Sequence, residues 1–287
     1  MAPRGSLAVL GERGVAVKAI VFSHANGFPA GTYRLIFEAW RAAGCTVHAI
    51  EKYGHDTRFP VTGNWPHLRA QLIEFIEHEV GGPVTLVGHS LGGYLSLMAA
   101  SRRPDLAHGL VMLDSPLISG WKARALQLAK ATGIGERFTP AHVSKRRRQH
   151  WESADAAFEH FAAKPAFARW APGVLRDYIA SGTEGHGKTH RLSFQRDIET
   201  AIYNTLPHHL ERLLRAHPLQ CATSFVRGTE SNEIRQVGMR ATERLAQGRV
   251  VAIEGSHLFP LERPAETAAA VLKLIESMPP SVQTPRL

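Results

Sequence analysis

The sequence predicts an α/β fold: a mostly parallel sheet with helices on both faces and an inserted helical cap. Three observations predict it. Short apolar runs alternate with longer stretches of helical periodicity, the order that a parallel sheet covered by helices requires. The alternation breaks between Asp114 and about His217, then resumes. Inside that gap the chain is helix-rich, aromatic and basic, and no run in it reads as a strand.

Each element follows from its local pattern. "VKAIVFS" (17–23) is the first strand, and "AGTYRLIFEAWRAAG" (30–44) a helix ended by Gly44. "CTVHAIE" (45–51) is a strand, "NWPHLRAQLIEFIEHEVGG" (64–82) a helix and "PVTLVG" (83–88) a strand. "SLGGYLSLMAASRRP" (90–104) is a helix stopped by Pro104, and "HGLVMLD" (108–114) another strand. Two late strands, "CATSFVRG" (221–228) and "RVVAIEG" (249–255), are followed by helical patterns at about 233–247 and 264–277. The tail "PPSVQTPRL" reads as frayed. Residues 1–116 and 217–287 therefore form the expected core and 117–216 the expected cap. "GTEGHG" (182–187) reads as a flexible loop within the cap.

Composition bounds the function. The chain has 287 residues, 44% hydrophobic and 21% charged, as an ordinary globular protein has. No stretch reaches the roughly 18 apolar residues of a membrane span. "MAPRGSLAVLGERG" lacks the sustained apolar core of a secretory signal. Cys45 and Cys221 each open an apolar run and read as small buried residues in a reducing compartment. A cytoplasmic protein is expected. The net charge is +9, and residues 117–216 hold 16 Lys and Arg against 9 Asp and Glu. No zinc-ligand spacing or aromatic-basic interleaving joins that charge, so a nucleic-acid partner is not expected.

"LVGHSLGGYLSLMAA" (86–100) places a serine between a strand and a helix. A nucleophile there needs a tight turn that lifts its Oγ above the sheet. Gly88 and Gly92 remove the side chains that such a turn would crush. Ser90 is thus the candidate nucleophile, with the helix N-terminus beneath it favouring an oxyanion. A hydroxyl needs a base. Of 16 histidines, His257 in "VVAIEGSHLFPLERP" follows the last predicted strand, which puts it at the same sheet edge as Ser90. An oxyanion hole needs two N–H donors. Leu91 is one candidate. The loop "SHANGFPAG" (23–31) offers the other, Phe28 first and Asn26 as its rival. His24 is expected to prop that loop.

At this point the sequence resembles the α/β-hydrolase fold superfamily. "GHSLGG" looks like its nucleophile elbow, "HANGFP" like its oxyanion loop with altered spacing, and "GSHLFPLERP" like its histidine loop. The resemblance spans about residues 17 to 278 apart from the cap. It implies the order serine, acid, histidine. The acid usually lies about three residues past the glycine that ends the penultimate strand, and here that place holds Ser231. Asp114, Glu233 and Glu230 compete for the role.

The expected reaction is acyl transfer to water through an acyl-serine, on a small-molecule carboxylic ester, with no metal or organic cofactor. Thioester or carbon–carbon bond hydrolysis on the same scaffold, and a ligand receptor with a degenerate triad, stay open. Trp121, Trp151, Phe158, Phe161, Phe167, Trp170 and Tyr178 populate the cap, some as walls of an apolar pocket and most as packing. The run from Lys145 to Arg148 reads as a solvated face or, alternatively, a reader of an anionic substrate. Tyr53, His55 and Asp56 order the loop after the second strand or border the pocket.

Overall fold

A computed structural model describes residues 18–132, 140–186 and 189–279. The expectations for the N-terminal stretch and for most of the C-terminal tail fall outside them. The central sheet has six strands: β1 (Ala19–Ser23), β2 (Thr46–Ala49), β3 (Val84–His89), β4 (Ala107–Leu113), β8 (Ala222–Gly228) and β9 (Val250–Ile253). Their spatial order is β2-β1-β3-β4-β8-β9, and every neighbouring pair is parallel. All carboxyl ends therefore emerge at one edge.

The period-2 pattern of these strands feeds two separate cores. Val21, Leu86, Leu110, Met112 and Phe225 point to one face, where Leu68 and Leu72 of α2 (Pro66–Phe75) and Leu95 and Met98 of α3 (Leu91–Arg102) cover them. Ile20, Phe22, Val87, Val111 and Val226 point to the other. There they meet Ile36, Phe37 and Trp40 of α1 (Arg34–Ala42) and Val271 and Leu274 of the last helix (Pro264–Glu276). Burying a strand on both faces demands such continuous apolar runs. The helical pattern expected at 233–247 is split at Gly238 into α11 (Asn232–Val237) and α12 (Arg240–Ala246), because that glycine stands at φ +82°.

The segment between β4 and β8 departs from the expectation of helices alone. It holds α4 (Gly120–Ala131), α5 (Ala141–Ser144), α6 (Ala154–Ala162), α7 (Pro165–Ala168), α8 (Val174–Gly182), α9 (Arg196–Asn204) and α10 (Leu210–Ala216). It also holds a small antiparallel sheet of β5 (His150–Trp151), β6 (Thr183–His186) and β7 (Thr189–Leu192), in the order β5-β7-β6. The stretch read as a flexible loop at 182–187 supplies β6. Strands this short carry too few residues for alternation to show. Cys45 is buried, Cys221 half-buried, and both are free thiols. Among the described residues no helix is long and apolar enough to cross a membrane.

Candidate active site

Ser90 is the single residue between β3 and α3. Its backbone stands at φ +53°, ψ −113°, a conformation costly for any side-chain-bearing residue, of order 1–3 kcal/mol. Neighbours hold it there. Its N–H donates to the Leu113 carbonyl at 3.0 Å, and the Ser115 hydroxyl donates to its carbonyl at 2.9 Å. The flanking glycines are steric necessities. A Cβ on Gly88 would lie 2.2 Å from the Gly92 carbonyl oxygen, and one on Gly92 only 1.9 Å from that of Ser23. The turn therefore wedges between its own helix and the end of β1.

His257 follows β9 and reaches back across the strand ends. Its Nε2 lies 2.9 Å from Ser90 Oγ, and its Nδ1 lies 2.7 Å from Asp114 Oδ2. The neutral ring thus donates from Nδ1 and accepts at Nε2. Asp114 follows β4 with a left-handed φ of +46° and a fully buried side chain. Its Oδ1 accepts the Gly228 N–H at 2.8 Å, and its Oδ2 also accepts the Ser231 hydroxyl at 2.5 Å. Glu233 Oε2 stands 3.6 Å from the same imidazole nitrogen on a side chain 41% exposed. Glu230 turns away to pair with Arg169 at 2.8 Å. Burial pulls the imidazole pKa down, but the Asp114 hydrogen bond and the charges of Glu233 and Asp114 outweigh it, leaving His257 above its ordinary value. The donor atoms of Asp114, Glu233 and His257 lie within 4.8 Å of one another. The imidazole nitrogen in that group carries the proton given to Asp114, so the arrangement suits proton transfer better than a cation.

The loop after β1 is ordered as expected of His24, which is buried. Its Nδ1–H donates to the Ala25 carbonyl at 2.8 Å, and its Nε2 accepts the Tyr53 N–H at 3.0 Å. Burial lowers its pKa to about 4, so it stays neutral. His55 and Asp56 order their loop in the same way, through the Gln195 N–H and through Arg58. The Phe28 N–H meets a competitor: it donates to the Ala25 carbonyl at 3.1 Å, closing a turn around Gly27 at φ +82°. Asn26 is buried, and its side-chain amide donates to the Glu199 carbonyl at 3.0 Å. Its backbone N–H has no acceptor among the described residues. Leu91, first residue of α3, has no intrahelical acceptor for its N–H by position.

Two groups escaped the sequence reading. The Ala25 N–H donates to the Tyr33 hydroxyl at 3.2 Å, which lies 2.8 Å from His89 Nδ1. His89 Nε2 lies 2.9 Å from the His257 carbonyl. Burial and the neighbouring His257 hold His89 well below its ordinary pKa, so a neutral ring donates to that carbonyl and accepts from Tyr33. A buried chain thus ties the loop after β1 to the loop after β9. The only signal was a histidine beside the candidate nucleophile. The second group is Arg147. Within the run from Lys145 to Arg148 it alone turns inward, 2.5 Å from Glu199 and bonded to the Tyr178 hydroxyl, while Lys145, Arg146 and Arg148 are exposed. Phe28 packs its ring against Trp170 and Tyr178, each at 5.8 Å. Trp151, Phe161, Trp170 and Tyr178 are core residues, whereas Trp121 is 73% exposed.

Comparison with known proteins gives a consistent family. The profile of the alpha/beta hydrolase family matches residues 20–270. A monoglyceride lipase homolog of Monkeypox virus is 29% identical over 136 residues, 45% of this chain and 49% of the relative. The chain thus matches about half the length of that curated relative. Among solved structures, E-2-(acetamidomethylene)succinate hydrolase superposes with a TM-score of 0.69 at 23% identity, covering 91% of this chain and 92% of its own. The thioesterase domain from the curacin biosynthetic pathway gives 0.67 at 18% identity, covering 89% and 91%. A peroxisomal alpha-beta-hydrolase from Saccharomyces cerevisiae gives 0.65 at 15%, covering 95% and 81%. At these identities the three structures speak for the fold.

Proposed function

The chain belongs to the alpha/beta hydrolase family, and from that premise we propose that it is a serine hydrolase cleaving a carboxylic ester through an acyl-Ser90 intermediate. The observation that carries this reading is the continuous line from Ser90 Oγ through His257 to Asp114, with contacts of 2.9 and 2.7 Å. His257 Nε2 takes the serine proton as Oγ attacks the carbonyl carbon. Asp114 keeps the ring in the correct tautomer and stabilises the imidazolium. The oxyanion accepts the Leu91 N–H and one from the 26–28 loop. Asn26 is the better second donor, since the Phe28 N–H already serves Ala25. His257 then protonates the leaving alkoxide, removes a proton from water and returns to neutral as the acid departs. The cycle closes without a metal or organic cofactor.

Residues 117–216 act in this reading as a cap that shapes the acyl site through its contacts with Asn26 and Phe28. Cys45 and Cys221, both free, fit a reducing, cytoplasmic setting. A thioester would pass through the same acyl-enzyme, and the likeness to a thioesterase domain keeps that substrate in view. A receptor with a degenerate triad is the weaker reading, because Asp114 supplies the acid whose usual place holds Ser231. The test is hydrolysis of p-nitrophenyl esters of graded acyl length, beside a thioester. Ser90→Ala is expected to lose about 10⁴-fold or more in kcat/KM while keeping its fold. Near-native turnover in that variant would refute the assignment.

A further inference from the structure

We propose that Glu233 is a second carboxylate of this triad, a positioning residue that shares the His257 imidazole with Asp114. The inference rests on the serine-hydrolase reading above and adds a group to it. Four observations carry it. Glu233 Oε2 stands 3.6 Å from His257 Nδ1, too far for a hydrogen bond but within ion-pair range of an imidazolium. Asp114 has its capacity engaged, with Gly228 and Ser231 as donors besides His257. Ser231 sits between the two acids: its hydroxyl donates to Asp114 Oδ2 at 2.5 Å, and the same oxygen lies 3.3 Å from Glu233 Oε2. It also accepts the Ile234 N–H at 3.2 Å, which seats Glu233 in the first turn of α11. Finally, Glu233 is 41% exposed and keeps the freedom to close the remaining gap.

The surroundings leave Glu233 and Asp114 as the charges that matter to His257. From β3, His89 faces the ring as a neutral imidazole. From the turn between β3 and α3, Ser90 contributes a hydroxyl. On the histidine's own side, Glu262 is taken by the Ser256 N–H and hydroxyl and by Arg169. Glu230 is paired with Arg169. The imidazolium formed when Ser90 attacks thus faces two carboxylates rather than one. Two consequences follow. The charge of Glu233 raises the pH at which His257 loses its proton and becomes a base. It also gives the imidazole a stand-in partner when Asp114 is removed, since a carboxylate at Nδ1 preserves the tautomer that an amide in its place would not.

The test compares Glu233→Gln, Asp114→Asn and the double variant with wild type, using p-nitrophenyl ester hydrolysis across pH. Glu233→Gln is expected to move the acid limb of kcat/KM to lower pH, because His257 then titrates lower, and to lower plateau kcat less than Asp114→Asn does. Asp114→Asn is expected to keep activity above the Ser90→Ala floor, and the double variant to fall at least about tenfold further. The Glu233→Gln profile stands even if Asp114→Asn folds poorly, since Glu233 is half-exposed. An acid limb unmoved in Glu233→Gln, or a double variant equal to a folded, active Asp114→Asn, overturns the proposal. Ser90→Ala in the same assay separates the outcomes: its inactivity keeps the hydrolase reading whatever Glu233 does.

Discussion

The edge of the central sheet and the 117–216 segment are built by different rules. At the sheet edge the groups of the candidate site follow closely on strands: Ser90 on β3, Asp114 on β4, His257 on β9 and the 24–29 loop on β1. Parallel pairing brings those ends together without any contact having to be specified in advance. The inserted segment instead relies on pairs far apart in the chain. Arg147 meets Glu199, and Asn26 meets the Glu199 carbonyl across 173 residues. A site assembled by sheet topology can be read from strand order and local sterics. Contacts assembled by long-range pairs cannot.

The predictions probe that difference. The largest effect is expected at the sheet edge. Gly92→Ala sets a Cβ against the Ser23 carbonyl, a backbone neighbour that cannot give way. The expected loss is about 3–5 kcal/mol of stability, or failure to accumulate as folded protein, read by urea unfolding. A variant as stable as wild type would mean that the elbow is looser than its geometry. In the inserted segment, Arg147→Met leaves Glu199 nearly buried and unpaired, at an expected cost of about 3 kcal/mol. Glu199→Gln in the same chain should recover part of it, and the acid limb of the pH–rate profile should stay where wild type has it. A shifted limb would mean that the insertion acts on His257 and that the two regions are not independent.

A smaller effect concerns pH. His24 has a folded-state pKa of about 4 against an ordinary 6.5, so between these values the unfolded chain binds a proton that the folded chain refuses. Stability should therefore fall as pH drops from about 6.5 towards 4, by at most on the order of 3 kcal/mol from this group. Above 6.5 the group contributes no slope. His89, also held low by burial, adds in the same direction. Urea unfolding at pH 7 and pH 4.5 reads the difference, and His24→Gln should reduce it. An undiminished slope in that variant would place the titrating group elsewhere.

Legibility follows the same divide. The sequence of strands, the glycines around Ser90 and the placing of Ser90 and His257 at one edge could be read because each rests on continuous apolar runs or on crowding within a few residues. Which of Asp114, Glu233 and Glu230 would hydrogen-bond His257 could not be chosen. Spacing alone does not say which carboxylate a strand end turns inward, and the decisive feature, Asp114 at φ +46° with its side chain enclosed, is a product of packing. The spacing of "HANGFP" does not reveal the turn that commits the Phe28 N–H to Ala25. The strands of the inserted sheet are too short to show a period. Arg147 looked like its basic neighbours because its partner lies 52 residues away.

The central claim is that Ser90 is a hydroxyl activated by His257. A fluorophosphonate probe followed by peptide mass spectrometry tests it most directly. The account predicts one adduct, on the peptide containing Ser90, forming faster as pH rises through the His257 titration and absent in Ser90→Ala. No adduct on the folded protein, or an adduct that persists on another serine in Ser90→Ala with ester turnover intact, would contradict it.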